Sequence, residues 1–240
     1  MSGSYIRSVS TVLSRLVLVL ATSSAACNGS AAPTPPPPSA AGLSERSAAV
    51  TTADAGGPKV VFLGDSISAG LHLAAEQAFP ALLARKLRFQ LVNAGVSGDT
   101  TAGGLRRVDW LLKQSHALVV VELGGNDGMR GQPIAGIEQN LREIIQKVRA
   151  SGAKVLLLGM RIPSSYGPEY AAEFEALYPR LARELDIPFV PFFMEGVAGV
   201  PEQNLPDGIH PTASGHEKLA QALVAPLEKL IAQAGPTTEH

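Results

Sequence analysis

Residues 60–68 read Val-Val-Phe-Leu-Gly-Asp-Ser-Ile-Ser, and this stretch is the strongest indication of the fold. Four consecutive apolar residues are too few for a helix and are typical of a buried strand in a parallel sheet. The chain must then turn sharply at Gly64-Asp65-Ser66. Because ligands of open α/β sheets bind beyond the carboxyl ends of the strands, we expect Ser66 to face a crevice.

Short apolar runs and longer amphipathic stretches alternate over the rest of the chain. Further strands are predicted at residues 91–92, 117–121, 154–158 and 188–190. The helices are predicted at residues 74–86, 101–114, 134–150, 169–184 and 213–231. Strands separated by helices of this length form right-handed crossovers around a parallel sheet. The sequence therefore predicts a doubly wound α/β fold, a three-layer α/β/α sandwich around a five-stranded parallel sheet.

Composition excludes several classes of function. The 240 residues have a formal net charge of −1 and 5% aromatic residues, without the basic clusters and stacking aromatics of nucleic-acid-binding proteins. The turn after the first strand lacks the Gly-x-Gly-x-x-Gly spacing of a dinucleotide site, and the chain has no Gly-Lys-Ser/Thr phosphate loop. We therefore expect neither a nucleic acid nor a nucleotide as ligand.

The amino terminus has the pattern of an export signal. Arg7 and Arg15 are the only charged residues before an apolar run at residues 16–21. That run is much shorter than the roughly 20 residues that span a bilayer. Residues 1–26 are therefore predicted to be a signal peptide.

The single cysteine, Cys27, allows two interpretations. It follows Ser-Ala-Ala at residues 24–26, which resembles the lipid-attachment sequence of bacterial lipoproteins. This interpretation predicts an exported protein of the periplasm or cell envelope, anchored to the membrane by lipid on Cys27. In the alternative, Cys27 is a spectator just past an ordinary cleavage site.

The segment after Cys27 has the composition of a tether. Residues 27–58 are rich in Ala, Ser, Thr, Gly and Pro, and four consecutive prolines at 35–38 favour an extended chain. Such a segment cannot bury enough apolar surface to fold, so it is predicted to be disordered. The globular domain is predicted at residues 59–232, followed by a flexible tail at 233–240.

A nucleophilic serine needs a base, and His210 is the candidate that the sequence favours. It lies in Asp-Gly-Ile-His-Pro at residues 207–211, after the last strand, and Asp207 is positioned to orient the imidazole. Pro211 holds His210 in an extended conformation, and Gly208 permits the turn. The alternative is an ordinary Asp-Gly turn before a helix. His216, in the first turn of the last helix, is interpreted as a solvated residue.

Two more loops follow strands at the same edge of the sheet. Residues 93–100 contain Gly98, and residues 122–128 contain Asn126. Backbone N–H groups of glycine-rich turns and asparagine amides can stabilise a developing negative charge. The alternative in each case is ordinary loop chemistry, since Gly, Asn and Asp dominate turns.

Together these blocks resemble the GDSL-type esterases of the SGNH hydrolase superfamily, named after their Ser, Gly, Asn and His blocks. The matching blocks, in chain order, are residues 64–68, 97–100, 124–127 and 207–211. Within the superfamily, residues 121–131, 159–163 and 191–195 are most similar to the bacterial arylesterase, acyl-CoA thioesterase I and lysophospholipase L1 branch. The resemblance implies a flavodoxin-like SGNH hydrolase fold.

The resemblance also implies residue roles. The catalytic residues would be Ser66, Asp207 and His210, and the oxyanion would be held by Ser66, Gly98 and Asn126. By analogy with the thioesterase I branch, the acyl pocket would be lined by Met129, Arg130, Gly131, Gln132 and Pro133. The chemistry needs no metal and no cofactor.

The implied activity is that of a serine esterase. Expected substrates are small-molecule or lipid esters: aryl or short-to-medium acyl esters, thioesters, or lysophospholipids, without an obligate protein partner. Two alternatives stay open. One is a carbohydrate O-deacetylase of the same superfamily, because substrate choice is determined by loops rather than by the fold. The other is a lipid-anchored binding protein that has lost the chemistry.

Overall fold

The computed structural model describes residues 50–51 and 57–234. The predicted signal peptide, Cys27, most of the predicted tether and residues 235–240 lie outside the described residues. Within the described residues, no helix combines the length and the apolar character needed to cross a membrane.

A six-stranded sheet forms the centre of the described domain. Its strands are β1 (Val50–Thr51), β2 (Lys59–Gly64), β3 (Gln90–Gly95), β4 (Leu118–Glu122), β5 (Lys154–Leu158) and β6 (Phe189–Val190). Their order is β1-β3-β2-β4-β5-β6. β2 to β6 run parallel, which confirms the predicted five-stranded parallel sheet. β1, which the sequence analysis did not predict, pairs antiparallel with β3.

Helices cover the sheet. They are α1 (Ser66–Ala69), α2 (Phe79–Leu87), α3 (Thr101–Leu111), α4 (Gly125–Met129), α5 (Ile134–Ala150), α6 (Pro168–Leu185) and α7 (Ala213–Ala234). Short 3₁₀ turns occur at Ala75–Gln77, Ser164–Tyr166 and Pro201–Gln203. α2 packs against α7, whereas α3 and α6 both pack against α5. The predicted helix at 74–86 is divided between a 3₁₀ turn and α2, because Ala78 between them has extended backbone.

The apolar pattern of the sequence explains the core. All five residues of β4 are buried, as expected for a strand covered on both faces. α5 buries residues spaced three and four apart, which form one face of a helix. These residues are Ile134, Ile137, Leu141, Ile144, Ile145 and Val148.

The central strands end side by side, and this alignment positions the candidate site. In the strand register Gly64 pairs with Gly95 of β3 and with Glu122 of β4. A Cβ atom at Gly64 would collide with Oγ of Ser68 and Oε2 of Glu122. Glycine is therefore needed at Gly64 because two side chains meet directly over its backbone.

His216 is buried, so its interpretation as a solvated residue is wrong. Its side chain is 1% exposed, and its Nδ1 accepts the backbone N–H of Phe79 at 3.1 Å. The ring also stacks on Phe79. Burial, reinforced by the charge of His210, lowers the pKa of His216 to about 4. His216 therefore joins α7 to the start of α2 as a neutral acceptor.

Protonation of His216 should make the domain acid-sensitive. The ordinary pKa is 6.5 and the folded value is about 4. Between these values the unfolded state binds more protons, so stability falls as pH decreases through this window. The loss from this residue should be on the order of 3 kcal/mol. Urea denaturation across the window measures it.

The matched control for this prediction is His216→Asn. The asparagine oxygen can accept the Phe79 N–H in place of Nδ1 and does not titrate. The free energy of unfolding is plotted against pH for the parent and for the variant. Other titrating groups are common to both proteins, so the difference between these two curves isolates His216. Parallel curves for the parent and the variant would contradict the prediction.

Candidate active site

Ser66 is presented at the carboxyl edge of the sheet by a short turn. β2 ends at Gly64, and Ser66 is the first residue of α1. Asp65 caps this helix, because its Oδ1 accepts the N–H of Ile67 at 3.0 Å. The helix stops after one turn at Gly70, whose φ of 70° lies in the left-handed region. The cap therefore positions the residue that follows it, Ser66.

The structure brings His210 and Asp207 to Ser66. Oγ of Ser66 lies 2.8 Å from Nε2 of His210, and Nδ1 of His210 lies 2.6 Å from Oδ2 of Asp207. The other carboxylate oxygen of Asp207 accepts the N–H groups of Ile209 and His210. Gly208 between them has a φ of 71°, as the predicted turn requires. Three side chains separated by up to 144 residues therefore form one hydrogen-bonded chain.

The electrostatics of this chain determine the proton positions. The hydrogen bonds from the side chain and backbone of His210 and from Ile209 lower the pKa of Asp207 to about 2. An ionised carboxylate only accepts, so Nδ1 of His210 donates to Asp207. Nε2 is then left as the acceptor for the Ser66 hydroxyl. This is the tautomer that a general base toward serine requires.

Gly98 lies on the loop between β3 and α3, as predicted, whereas Asn126 lies in the first turn of α4 and not on a loop. In the described part of the chain, the N–H groups of Ser66 and Gly98 have no protein acceptor. One amide hydrogen of Asn126 goes to Oδ2 of Asp65 at 3.1 Å, which fixes the orientation of the amide. These groups retain donor capacity that a ligand oxygen can use.

The predicted pocket loop, residues 129–133, is only partly associated with these residues. Arg130 donates to the Gly98 carbonyl at 3.1 Å. The carbonyl of Gln132 instead accepts the hydroxyl of Tyr170 from α6. Met129 packs against the core. Among the described contacts, Arg130 is therefore the member of this loop that reaches another predicted site residue.

Arg107 on α3 is a site residue that the sequence analysis missed. Its guanidinium donates to Oδ2 of Asp99 at 2.8 Å, to the Ala94 carbonyl at 2.6 Å and to the Gly64 carbonyl at 3.0 Å. It thus ties the ends of β2 and β3 to the loop that carries Gly98. No motif could reveal this, because two of its acceptors are backbone carbonyls, which every residue has.

His72 was also not predicted as part of the site. It is exposed, and its ring meets that of His210 edge-on, with the centroids 6.4 Å apart. Its φ of 67° is unusual for a residue other than glycine. The loop after α1 therefore holds a second imidazole at the rim beside His210.

A comparison with known families identifies this arrangement. The sequence pattern of the GDSL-like Lipase/Acylhydrolase family matches residues 62–218, a range that contains every residue of the Ser66, Gly98, Asn126, Asp207 and His210 group. The chain belongs to this family. The resemblance that the four sequence blocks indicated is confirmed.

Two relatives are similar to this chain over nearly their whole length. Esterase TesA of Pseudomonas aeruginosa is 45% identical over 186 residues, covering 75% of this chain and 92% of that relative. Thioesterase 1/protease 1/lysophospholipase L1 of Escherichia coli strain K12 is 44% identical over 192 residues, covering 79% of this chain and 89% of that relative. The predicted relationship to the thioesterase I and lysophospholipase L1 branch is therefore confirmed.

A solved structure supports the fold assignment. The psychrotrophic esterase EstA from Pseudoalteromonas sp., in a structure inhibited by monoethylphosphonate, superimposes with a TM-score of 0.70 at 31% identity. The match covers 73% of this chain and 99% of EstA. The family and these relatives, which are named as an esterase and a thioesterase, show that the chain is a hydrolase that acts on ester bonds.

Proposed function

We propose that the protein hydrolyses carboxylic esters through an acyl-enzyme formed on Ser66. The observation that carries this proposal is the hydrogen-bonded chain from Oγ of Ser66 through the His210 ring to Asp207, at 2.8 and 2.6 Å. A serine hydroxyl becomes a good nucleophile only when a base takes its proton, and this chain supplies that base.

The steps of the proposed reaction follow from the proton positions. Nε2 of His210 takes the hydroxyl proton while Oγ of Ser66 attacks the ester carbonyl. The imidazolium, stabilised by ionised Asp207, gives that proton to the departing alcohol, and the acyl group stays on Ser66. Water then loses a proton to His210 and attacks the acyl carbon. The proton returns to Oγ of Ser66 as the carboxylic acid leaves.

The negative charge on the attacked oxygen needs donors, and we assign these to three groups. They are the backbone N–H groups of Ser66 and Gly98 and the free amide hydrogen of Asn126. The two backbone groups have no protein acceptor within residues 57–234, which leaves them available. Prearranged donors of this kind stabilise the transition state more than the ground state.

Replacing Asn126 with alanine should mainly lower kcat. Loss of one oxyanion donor costs about 10²- to 10³-fold in kcat, and KM should change much less. Steady-state kinetics with a p-nitrophenyl ester measures both values. Asn140→Ala is the matched control, because the Asn140 amide binds Thr101 on α3 instead of Asp65. An Asn126→Ala enzyme with undiminished kcat would remove Asn126 from the oxyanion site.

For substrate class we propose aryl and short-to-medium acyl esters, with thioesters and lysophospholipids as further candidates. The names of the relatives, an esterase and a thioesterase 1/lysophospholipase L1, support this range. The test is a panel of p-nitrophenyl esters of increasing chain length, beside an acyl-CoA, a lysophospholipid and an acetylated sugar. Preference for the acetylated sugar would favour the O-deacetylase alternative.

We further propose that the enzyme is exported to the periplasm or cell envelope and anchored by lipid at Cys27. The support is the charge and apolar pattern of residues 1–26 and the position of the single cysteine. Fractionation of cells that produce the parent and Cys27→Ser tests the anchor. We expect the parent with membranes and the variant in the soluble fraction, whereas equal distributions would contradict the anchor.

A further inference from the structure

Glu122 is a buried carboxyl group directly beneath the turn that carries Ser66. It is the last residue of β4, it is 0% exposed, and it pairs in register with Gly64. In the sequence it stands only at the start of a predicted loop, residues 122–128. A fully buried carboxyl group at such a place needs a physical explanation, because burial of an unpaired charge is costly.

The two oxygens of Glu122 have unequal surroundings. Oε2 accepts three hydrogen bonds: from the N–H of Asp65 at 3.1 Å, and from the N–H and hydroxyl of Ser68 at 3.2 and 2.6 Å. Oε1 is fully buried, and no donor in the described residues reaches it. One oxygen therefore behaves as a carbonyl acceptor, while the other lacks a partner unless a proton lies between it and a neighbouring acceptor.

The group that Glu122 can donate to is the carboxyl group of Asp65. The two residues are already joined by the hydrogen bond from the Asp65 N–H to Oε2 of Glu122, and Asp65 is 3% exposed. Asp65 accepts from Ile67 on Oδ1 and from Asn126 on Oδ2, and hydrogen bonds to both oxygens favour the ionised form of its carboxyl group. Two neighbouring buried carboxyl groups are not both ionised, since like charges repel strongly where water is excluded. One shared proton resolves the conflict.

We propose that Glu122 is a positioning residue of the esterase site: it carries a proton on Oε1, donates it to the Asp65 carboxylate, and through Asp65 holds the Asn126 amide toward the oxyanion. This inference rests on the proposed function for its kinetic consequence. Its structural part, a protonated Glu122 beside an ionised Asp65, does not depend on the activity.

Electrostatics agree with this assignment of the proton. Burial and the Asp65 carboxylate raise the pKa of Glu122 well above its usual range. Burial also raises the pKa of Asp65, but only to about 6, because Ile67, His210 and Asn126 favour its ionised form. At neutral pH the proton therefore stays on Glu122.

The other polar groups around the pair leave this arrangement intact. Ser68 on α1 is neutral and donates to Glu122. Tyr178 on α6 donates its hydroxyl to the Leu123 carbonyl, and burial raises its pKa well above the usual value, so it stays neutral. Arg107 approaches from α3 and donates to the Gly64 carbonyl.

Infrared spectroscopy on the full-length protein tests the proton on Glu122 directly, with the spectrum of each variant subtracted from that of the parent. At slightly alkaline pH the parent should show the carbonyl stretch of one protonated carboxylic acid. The band should disappear in Glu122→Gln and persist in Glu228→Gln, which changes an exposed glutamate on α7. Absence of the band in the parent would overturn the proposal, and this measurement does not depend on how any variant folds.

Kinetics distinguish which member of the pair carries the proton. In Glu122→Gln the amide oxygen can accept as Oε2 does, and the NH₂ group can donate to Asp65, so kcat should fall less than about tenfold. Asp65→Asn has a single acceptor oxygen for Ile67 and Asn126, and kcat should fall about 100-fold with KM little changed. The reverse order of the two losses would put the proton on Asp65 and overturn the proposal.

The pH profile supplies a readout that a merely structural role would not change. The parent should lose kcat at alkaline pH as Glu122 ionises, and the infrared band should vanish over the same range. Glu122→Gln should lack this alkaline limb. An identical limb in both proteins would contradict the proposal. A parent without esterase activity would refute the proposed function, while the infrared result would still decide the protonation of Glu122.

Discussion

Ser66→Ala should lower kcat for p-nitrophenyl butyrate by about 10⁵-fold, an effect as large as any expected from a single substitution in this chain. The variant loses the oxygen that lies 2.8 Å from Nε2 of His210, so no acyl-enzyme can form. The fold should be unaffected, because the Ser66 hydroxyl has only this one hydrogen bond among the described residues. KM is expected to change little, since the oxyanion donors and the crevice remain.

The measurement is a stopped assay with enough enzyme to detect slow turnover, together with a thermal melt. A fluorophosphonate probe gives an independent readout, because it should label the parent and leave Ser66→Ala unlabelled. Ser165→Ala, at an exposed serine between β5 and α6, is the matched control and should behave as the parent does. Retention of most of the activity by Ser66→Ala would refute the proposed mechanism.

His210→Ala should be about as damaging as Ser66→Ala, and the double variant should be no worse than either alone. The two residues act as a unit, so their effects do not add. Asp207→Asn should cost about 10⁴-fold, because an amide facing Nδ1 favours the wrong tautomer of His210. Since Asp207 also accepts the N–H groups of Ile209 and His210, part of this loss will reflect the turn itself.

These variants are compared by kcat and kcat/KM on the same ester, with thermal melts to verify folding. His116→Gln is the control for loss of a histidine, since the His116 ring contacts the Leu111 carbonyl outside the site. A double variant much less active than both single variants would mean that Ser66 and His210 contribute independently. That result would contradict a proton transfer between them.

Local sequence was sufficient to predict the parallel sheet and the main helices. Strand β5 and helix α5 have the bounds that the sequence predicted. The apolar residues of β5 are consecutive, and those of α5 recur at helical spacing from its first turn to its last. The candidate site residues were also accessible from sequence, since in a parallel sheet all strands end at the same edge. Ser66 and His210 each follow such an end, so both could be assigned to one crevice before any distance was known.

The burial and the contacts of residues whose partners are distant along the chain could not be predicted in this way. Glu122 lies 57 residues from its partner Asp65, and His216 lies 137 residues from Phe79. Neither contact leaves a local pattern, because a glutamate at a strand end and a histidine in a helix are ordinary at solvated positions. Burial, which changes the protonation of both, is a property of the folded chain.

The sequence by itself therefore determined the fold class and the family and pointed to Ser66 as the proposed nucleophile, because apolar periodicity and the residues after each strand are local information. The tertiary structure alone decided the proton positions. It placed an ionised Asp207 against Nδ1 of His210, and it buried Glu122 against Asp65. Proton affinity depends on the charges and donors within a few ångströms, and in this protein those neighbours come from distant parts of the chain.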